Sequence, residues 1–268
     1  MSVFISQFHH RRQEKHYTLP TPEQLRLIIE NIENYVEQNI GRFHANRLEK
    51  IKDLDFNSVV RRKNPYLYKA KNILTAQDLV KNLLDAYLQS QEETLFGDFV
   101  EDVAIFVCQE VFGGHKSGRL EGIDLEFVKE GVYYIVEIKS GPNWGNSSQI
   151  KRMRHNFQKA KVALQSDGNG MDIIAVNGCC YGIENNPNKG EYFKYCGQAF
   201  WEFVSDNKNL YVDIIEPFGY KAKEKNDEFL VEYARVINLF TSGFLQDFCE
   251  NGIIDWRKIV AFGSKKSS

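Results

Sequence analysis

The chain has 268 residues, 43% of them hydrophobic and 26% charged, which is ordinary globular material for one large or two small domains. A formal net charge of −2 argues against a protein that coats nucleic acid indiscriminately. No run stays apolar for more than about six residues, where a membrane span needs roughly 20.

Residues 1–19 are polar and irregular and read as an arm, without the apolar core or cleavage site of a secretory signal, so a cytoplasmic protein is expected. Thr21-Pro22-Glu23 has the form of a helix start. Leu25, Ile28, Ile29, Ile32, Tyr35, Val36 and Ile40 then recur at helical spacing, predicting an amphipathic helix to about Gly41. RRKNPYLYKAKN, from Arg61 to Asn72, mixes cations with aromatics around Pro65 and reads as an extended loop. Thr75-x-x-Asp78 resembles a capping box that opens a helix to about Gln89, and Glu92 to Val111 is a second, strongly apolar helix.

Gly122 to Lys139, GIDLEFVKEGVYYIVEIK, alternates on both sides of Glu130-Gly131 and predicts a hairpin with a two-residue turn. That turn sets Lys129 against Val132, Phe127 against Tyr134, Leu125 against Val136 and Asp124 against Glu137. Ile123, Leu125, Phe127, Tyr134, Val136 and Ile138 form the expected core face. Gly141 to Asn146 follows as a rigid loop carrying Trp144, and Ser147 or Ser148 can cap the next helix. On that helix Ile150, Met153, Phe157, Ala160 and Leu164 make a buried stripe, with Lys151, Arg154, His155 and Lys161 outward. Met171 to Val176 is a buried strand left by a loop from Asn177 to Gly182; the aromatics between 188 and 205 read as core, Phe229 to Cys249 as a helix, and the last residues as a frayed tail. The order helix, hairpin, helix, strand gives an α/β fold with a mixed sheet flanked by helices.

The chemistry gathers on the other face of the hairpin. Asp124 and Glu137 face each other there, with Cβ atoms about 5 Å apart, and Lys139 lies two residues further on. Two carboxylates that close repel unless a cation lies between them or one stays protonated. Hard oxygen ligands suit Mg²⁺, which takes one or two protein carboxylates and fills its octahedron with water and phosphate oxygens. A lysine at the rim can orient an attacking water, so the set fits phosphodiester hydrolysis. An exposed Asp, Glu and Lys triplet is also an ordinary solvated surface, but Ile135 and Tyr133 share the face and imply a cover.

Charge supports a polyanion partner. No acid occurs from Lys139 to Ser166, among Lys151, Arg152, Arg154, Lys159 and Lys161, nor from Val59 to Asn72, among Arg61, Arg62, Lys63, Lys69 and Lys71. The two basic stretches suggest one cationic groove, with the helix after Trp144 tracking phosphates. His155 reads as a groove-facing side chain or a general base. Cys108, Cys179, Cys180, Cys196 and Cys249 lack zinc spacing and read as reduced thiols.

Asp124, a spacer, then Glu137-x-Lys139 resembles the PD-(D/E)xK signature of restriction-endonuclease-like nucleases, with Ile123 in place of the proline. VEIKSGPNWGNSSQ, KNPYLYKAKN and VNGCCYG are similar to a type II restriction endonuclease family over about Val59 to Lys225. The resemblance implies one restriction-endonuclease-like domain: a helical N-terminal part (1–90), a catalytic core (91–182) and a mostly helical C-terminal part (183–268). It implies Mg²⁺-dependent cutting of double-stranded DNA at a short site, with Asp124 and Glu137 on the metal and Lys139 on the water and phosphate. It also implies a further carboxylate from the preceding helix, where Glu101 matches and Glu93 competes. DNA contacts are expected from Asn143, Trp144, Asn146, Ser148, Gln149, Lys151, Arg152 and Arg154, and from Arg61, Arg62 and Lys63. A homodimer and a cognate DNA methyltransferase, as a functional partner, complete the implication. A repair or junction nuclease on the same core, or a DNA-binding module without catalysis, are the alternatives.

Overall fold

The computed structural model describes residues 21–168 and 170–265, so the expected arm and the end of the tail lie outside the described residues. A mixed sheet of five strands runs in the order β1 (His115–Lys116), β2 (Leu125–Lys129), β3 (Val132–Lys139), β4 (Ile173–Cys179), β5 (Phe193–Cys196). β1, β2 and β3 pair antiparallel, while β3, β4 and β5 pair parallel. The hairpin register agrees with expectation from Leu125↔Val136 to Lys129↔Val132. Glu130 and Gly131 both adopt positive φ, at 52° and 77°, the backbone that lets a two-residue turn follow the strand twist.

Helices cover both faces. α4 (Ala76–Phe112) lies on one, where Val100, Val103 and Val107 meet Leu125, Phe127, Val136, Ile138 and Val176. α5 (Ser147–Ser166), the crossover from β3 to parallel β4, lies on the other, and its Met153, Phe157, Ala160 and Leu164 close over Ile135 and Ala175. Each large side chain buried there contributes about 1.5–3 kcal/mol. β5 leads into α6 (Gln198–Ser205), whose Phe200 and Trp201 join the α4-side core, as expected for those aromatics. A second, mainly helical cluster joins the start of α4 to α1 (Pro22–Lys52), α2 (Phe56–Arg62), α3 (Pro65–Ala70), α9 (Ala222–Phe248) and α10 (Trp256–Ser264), with Cys249 and Ile254 added from a short antiparallel hairpin between the last two. Two short helices, α7 (Leu210–Asp213) and α8 (Ile215–Phe218), link α6 to α9.

Several expectations need correction. α1 continues past Gly41 to Lys52, because Ile40 and Ile51 on either side are buried and outweigh the roughly 1 kcal/mol of an interior glycine. The stretch around Pro65 is helical rather than extended: Asn64 accepts from Tyr66 N at 3.0 Å as N-cap, and Pro65 takes the first turn, where it has no N–H to lose. The two helices expected on either side of residue 90 are one, since Ser90 and Gln91 interrupt nothing. β4 extends through Asn177-Gly178-Cys179 instead of ending at Val176; Gly178 is needed there because a Cβ would enter the Phe200 ring. Ile123 leaves the expected core face and packs beside Ile135 and Met153, because its N–H closes a turn onto Leu120 O before strand alternation begins at Leu125. α9 begins earlier than expected, and α10 is an added helix capped by Asp255.

Candidate active site

Asp124 sits one residue before β2 and still pairs with β3. Its N–H donates to Val136 O at 2.8 Å, and its Oδ2 accepts from Ile138 N at 2.7 Å. The carboxylate is thereby anchored to β3 close enough to Glu137 for its charge to act there. Glu137 is only 9% exposed, an unusual burial for a carboxylate. Lys139 Nζ lies 2.9 Å from its Oε1, while its Oε2 is buried with no hydrogen-bond partner. Burial pushes the Glu137 carboxyl above the ordinary range and Asp124 adds to this, against the opposing pull of Lys139 and Arg152.

The helix behind supplies a third acid. Gly97 faces the end of β3 without being required there, since a Cβ would make an ordinary contact of 3.5 Å with Ser140 Cβ, and Glu101 follows one turn later. Burial, then the charge of Asp124, raises the Glu101 carboxyl, opposed by Lys116 at 3.3 Å and by Lys139. Asp124 and Lys139 thus each act on both glutamates. Glu93 is exposed and takes a hydrogen bond from Gln89 on its own helix at 3.2 Å, so of the two competitors Glu101 faces the hairpin.

Among the described residues no three His, Cys, Asp or Glu side chains are assembled as a metal cage. Mg²⁺ needs no such cage, since one or two carboxylates suffice. Asp124 and Glu137 could hold a hard cation, and the unpartnered Oε2 of Glu137 is the atom such an ion would satisfy. The five cysteines are free thiols.

A cleft of about 360 Å³ opens beside these groups, lined by Glu137, Lys139, Trp144, Gln149, Arg152 and Asn156 among others. Trp144 forms a wall: its Nε1 donates to Asn177 Oδ1 at 3.0 Å, and Lys139 Nζ lies 5.4 Å from the centre of its ring. Asn177, on β4 opposite Glu137, also donates from Nδ2 to Glu137 O at 3.2 Å. Gly122, at φ 71°, leaves room for the Asn156 amide that a Cβ would strike. Asn177 and Asn156 are buried polar residues that sequence reasoning missed, as is Glu126, which takes the Tyr133 hydroxyl at 2.7 Å. A polar residue ending an apolar strand was the available signal for Asn177.

The proposed DNA contacts separate into groups. Asn146, rather than Ser147 or Ser148, caps α5, in a reciprocal box with Gln149, so the side-chain oxygens of both are occupied. Asn143, Ser148, Lys151 and His155 are exposed. The basic face of α5 is less free than its acid-poor sequence implies. Glu121 lies 3.6 Å from Arg152 and 3.9 Å from Lys159, and Glu191 binds Arg154 at 2.6 Å. The other basic stretch lies on the helical cluster: Arg61 stacks on Phe262, Arg62 donates to Tyr87 Oη and Lys63 to Ala86 O. Ala86 is about 22 Å along α4 from Glu101, so the second basic stretch lies that far along the helix from the acids.

A family model described as type II restriction endonuclease EcoO109I matches residues 30–226. Curated proteins yield no match.

Proposed function

The chain belongs to the type II restriction endonuclease EcoO109I family, nucleases acting on DNA, and from that premise we propose Mg²⁺-dependent phosphodiester hydrolysis in double-stranded DNA at a specific short site. The five-stranded mixed sheet with helices on both faces is consistent with the family, and we read it as a PD-(D/E)xK core. The observation that carries the reading is Glu137: a buried carboxylate with one oxygen on Lys139 and the other unpartnered, beside Asp124.

Asp124 and Glu137 would hold the metal, with Glu101 as third acid in its outer surroundings. Bound Mg²⁺ would supply Lewis-acid charge at the scissile phosphate and lower the pKa of water. Asp124, fixed by the Ile138 amide, presents its carboxylate in one orientation. Lys139 orients the attacking water by hydrogen bonding and offsets charge building on the phosphate. Trp144 and Asn177 limit where the Lys139 ammonium can go. The water attacks in line with the leaving 3′ oxygen. One site serves one strand, so we read the acting form as a two-fold dimer, in a cell that protects its own DNA with a cognate methyltransferase. No helix of the described residues is long and apolar enough to cross a membrane.

The test is incubation with unmethylated plasmid DNA and Mg²⁺, with a chelator control. Discrete bands support the reading; smears or junction-only cutting favour a repair nuclease, and binding without product favours a non-catalytic module.

A further inference from the structure

The thirteen residues between β4 and β5 lie beside the site and play no part in the chemistry above. Their start is fastened to the catalytic strand: Cys180 N donates to Lys139 O at 2.9 Å and Tyr181 N to Ser140 O at 3.1 Å. Gly182 packs on Pro142, whose carbonyl accepts from Lys194 Nζ at 2.7 Å. The far side is tied to α5 through Glu191, which binds Arg154 at 2.6 Å and accepts from Lys161 Nζ at 3.4 Å on its carbonyl. Inside the loop, Glu184 accepts from Asn186 N at 3.0 Å and pairs with Lys189 at 3.1 Å, while Asn188 accepts from Gly190 N at 2.8 Å. Such a long irregular connection, held so firmly, is unusual unless it does something.

What it presents outward is specific. Ile183 is 82% exposed, and the side chains of Asn185 and Asn186 are exposed with no hydrogen bond among the described residues. The loop's acids do not repel a polyanion, because Glu184 and Glu191 are both paired with cations. Asn amides match the N6 donor and N7 acceptor of adenine in the major groove, and an aliphatic group matches the thymine methyl.

We propose that this loop reads base edges, with Asn185 and Asn186 on adenine and Ile183 on a thymine methyl of the recognition site. The inference rests on the reading of the protein as a site-specific DNA nuclease. A rigid reader attached to Lys139 couples recognition to the catalytic strand, since any displacement of the loop by a wrong base acts on the backbone that carries the lysine.

The experiment maps the site cut by the natural protein, then compares cutting of that site with sites changed at single A·T pairs. In Asn185→Ala/Asn186→Ala the preference for the mapped site should fall about 10- to 100-fold at one or more A·T positions. Lys151→Ala should slow all sites alike and leave the preference unchanged. Replacing thymine by uracil should slow the natural protein and add nothing in Ile183→Ala. Unchanged preference in the double variant, equal uracil effects in both proteins, or a mapped site without an A·T pair each overturn the assignment. Indiscriminate degradation or no cutting by the natural protein instead overturns the nuclease reading on which it rests.

Discussion

Asn177→Ala tests whether the catalytic strand, the Trp144 loop and β4 act as one unit. The amide is 1% exposed, accepts from Trp144 Nε1 at 3.0 Å, donates to Glu137 O at 3.2 Å and takes a weak third bond from Cys179 Sγ at 3.9 Å. A neutral hydrogen bond contributes about 0.5–1.5 kcal/mol, and orphaning a buried partner adds to the loss, so the variant should be destabilised by about 2–3 kcal/mol. For a chain of this size that lowers Tm by roughly 5–10 °C. Trp144→Phe removes the indole bond alone, and the double variant should show a coupling of about 1 kcal/mol. Urea denaturation in chelator gives the stabilities, and single-turnover plasmid cutting with Mg²⁺ gives the rate. Cutting should fall in both single variants, because the Lys139 ammonium loses the held ring beneath it. A loss below about 0.5 kcal/mol, together with zero coupling, would refute the linkage.

Glu137→Gln should abolish cutting by weakening Mg²⁺ binding, whereas Lys139→Ala should still gain DNA affinity with Ca²⁺ but not cut; calcium-dependent binding and magnesium-dependent cutting, measured on both, would sink the site if either variant cut well. Stability should respond to pH with a defined sign. The Glu137 carboxyl is raised in the folded state, so its favourable contribution is complete below its unfolded pKa of about 4.3 and is lost as pH rises through the higher folded value. Glu137→Gln should therefore melt above the natural protein at pH 7 in chelator, with the gap closing near pH 4; a gap constant with pH contradicts the burial argument. Lys151→Ala should weaken binding to all DNA sequences and flatten its salt dependence, read from affinities at several salt concentrations. Light scattering of the DNA complex should give two subunits, and a strictly monomeric complex would count against the dimer.

The hairpin was legible in the sequence because a two-residue turn leaves a single register, which holds from Lys129↔Val132 to Leu125↔Val136, while Asp124 lies just outside the ladder with its N–H on Val136 O. Glu101 and Glu93 were not separable from the sequence, since only the packing of α4 puts Glu101 near Asp124 and leaves Glu93 exposed. Asn177 was not legible, since its role depends on the parallel pairing of β3 with β4, across a crossover that local alternation does not report. Charge misled for a related reason. Runs without acids in α5 looked free, but Glu121 and Glu191 arrive from segments that precede and follow it. The helix capped by Asn64 was obscured because proline was weighed as a breaker rather than as a first-turn residue.

The continuity of α4 sets a rotational phase between the two ends of the molecule. Its 37 residues extend about 55 Å, with Lys63 held against Ala86 on the helical cluster and Glu101 facing the hairpin. Each residue turns an α-helix by about 100°, so deleting one residue between Gln89 and Glu92 would rotate the helical cluster about the α4 axis by that angle relative to the sheet, on which Val100, Val103 and Val107 hold Glu101 in place. Inserting seven residues would restore its azimuth to within about 20° yet push the sheet some 10 Å from the helical cluster. Orientation and separation of the helical cluster relative to the acid are therefore fixed by a residue count in a segment that touches neither metal nor DNA in the proposed mechanism.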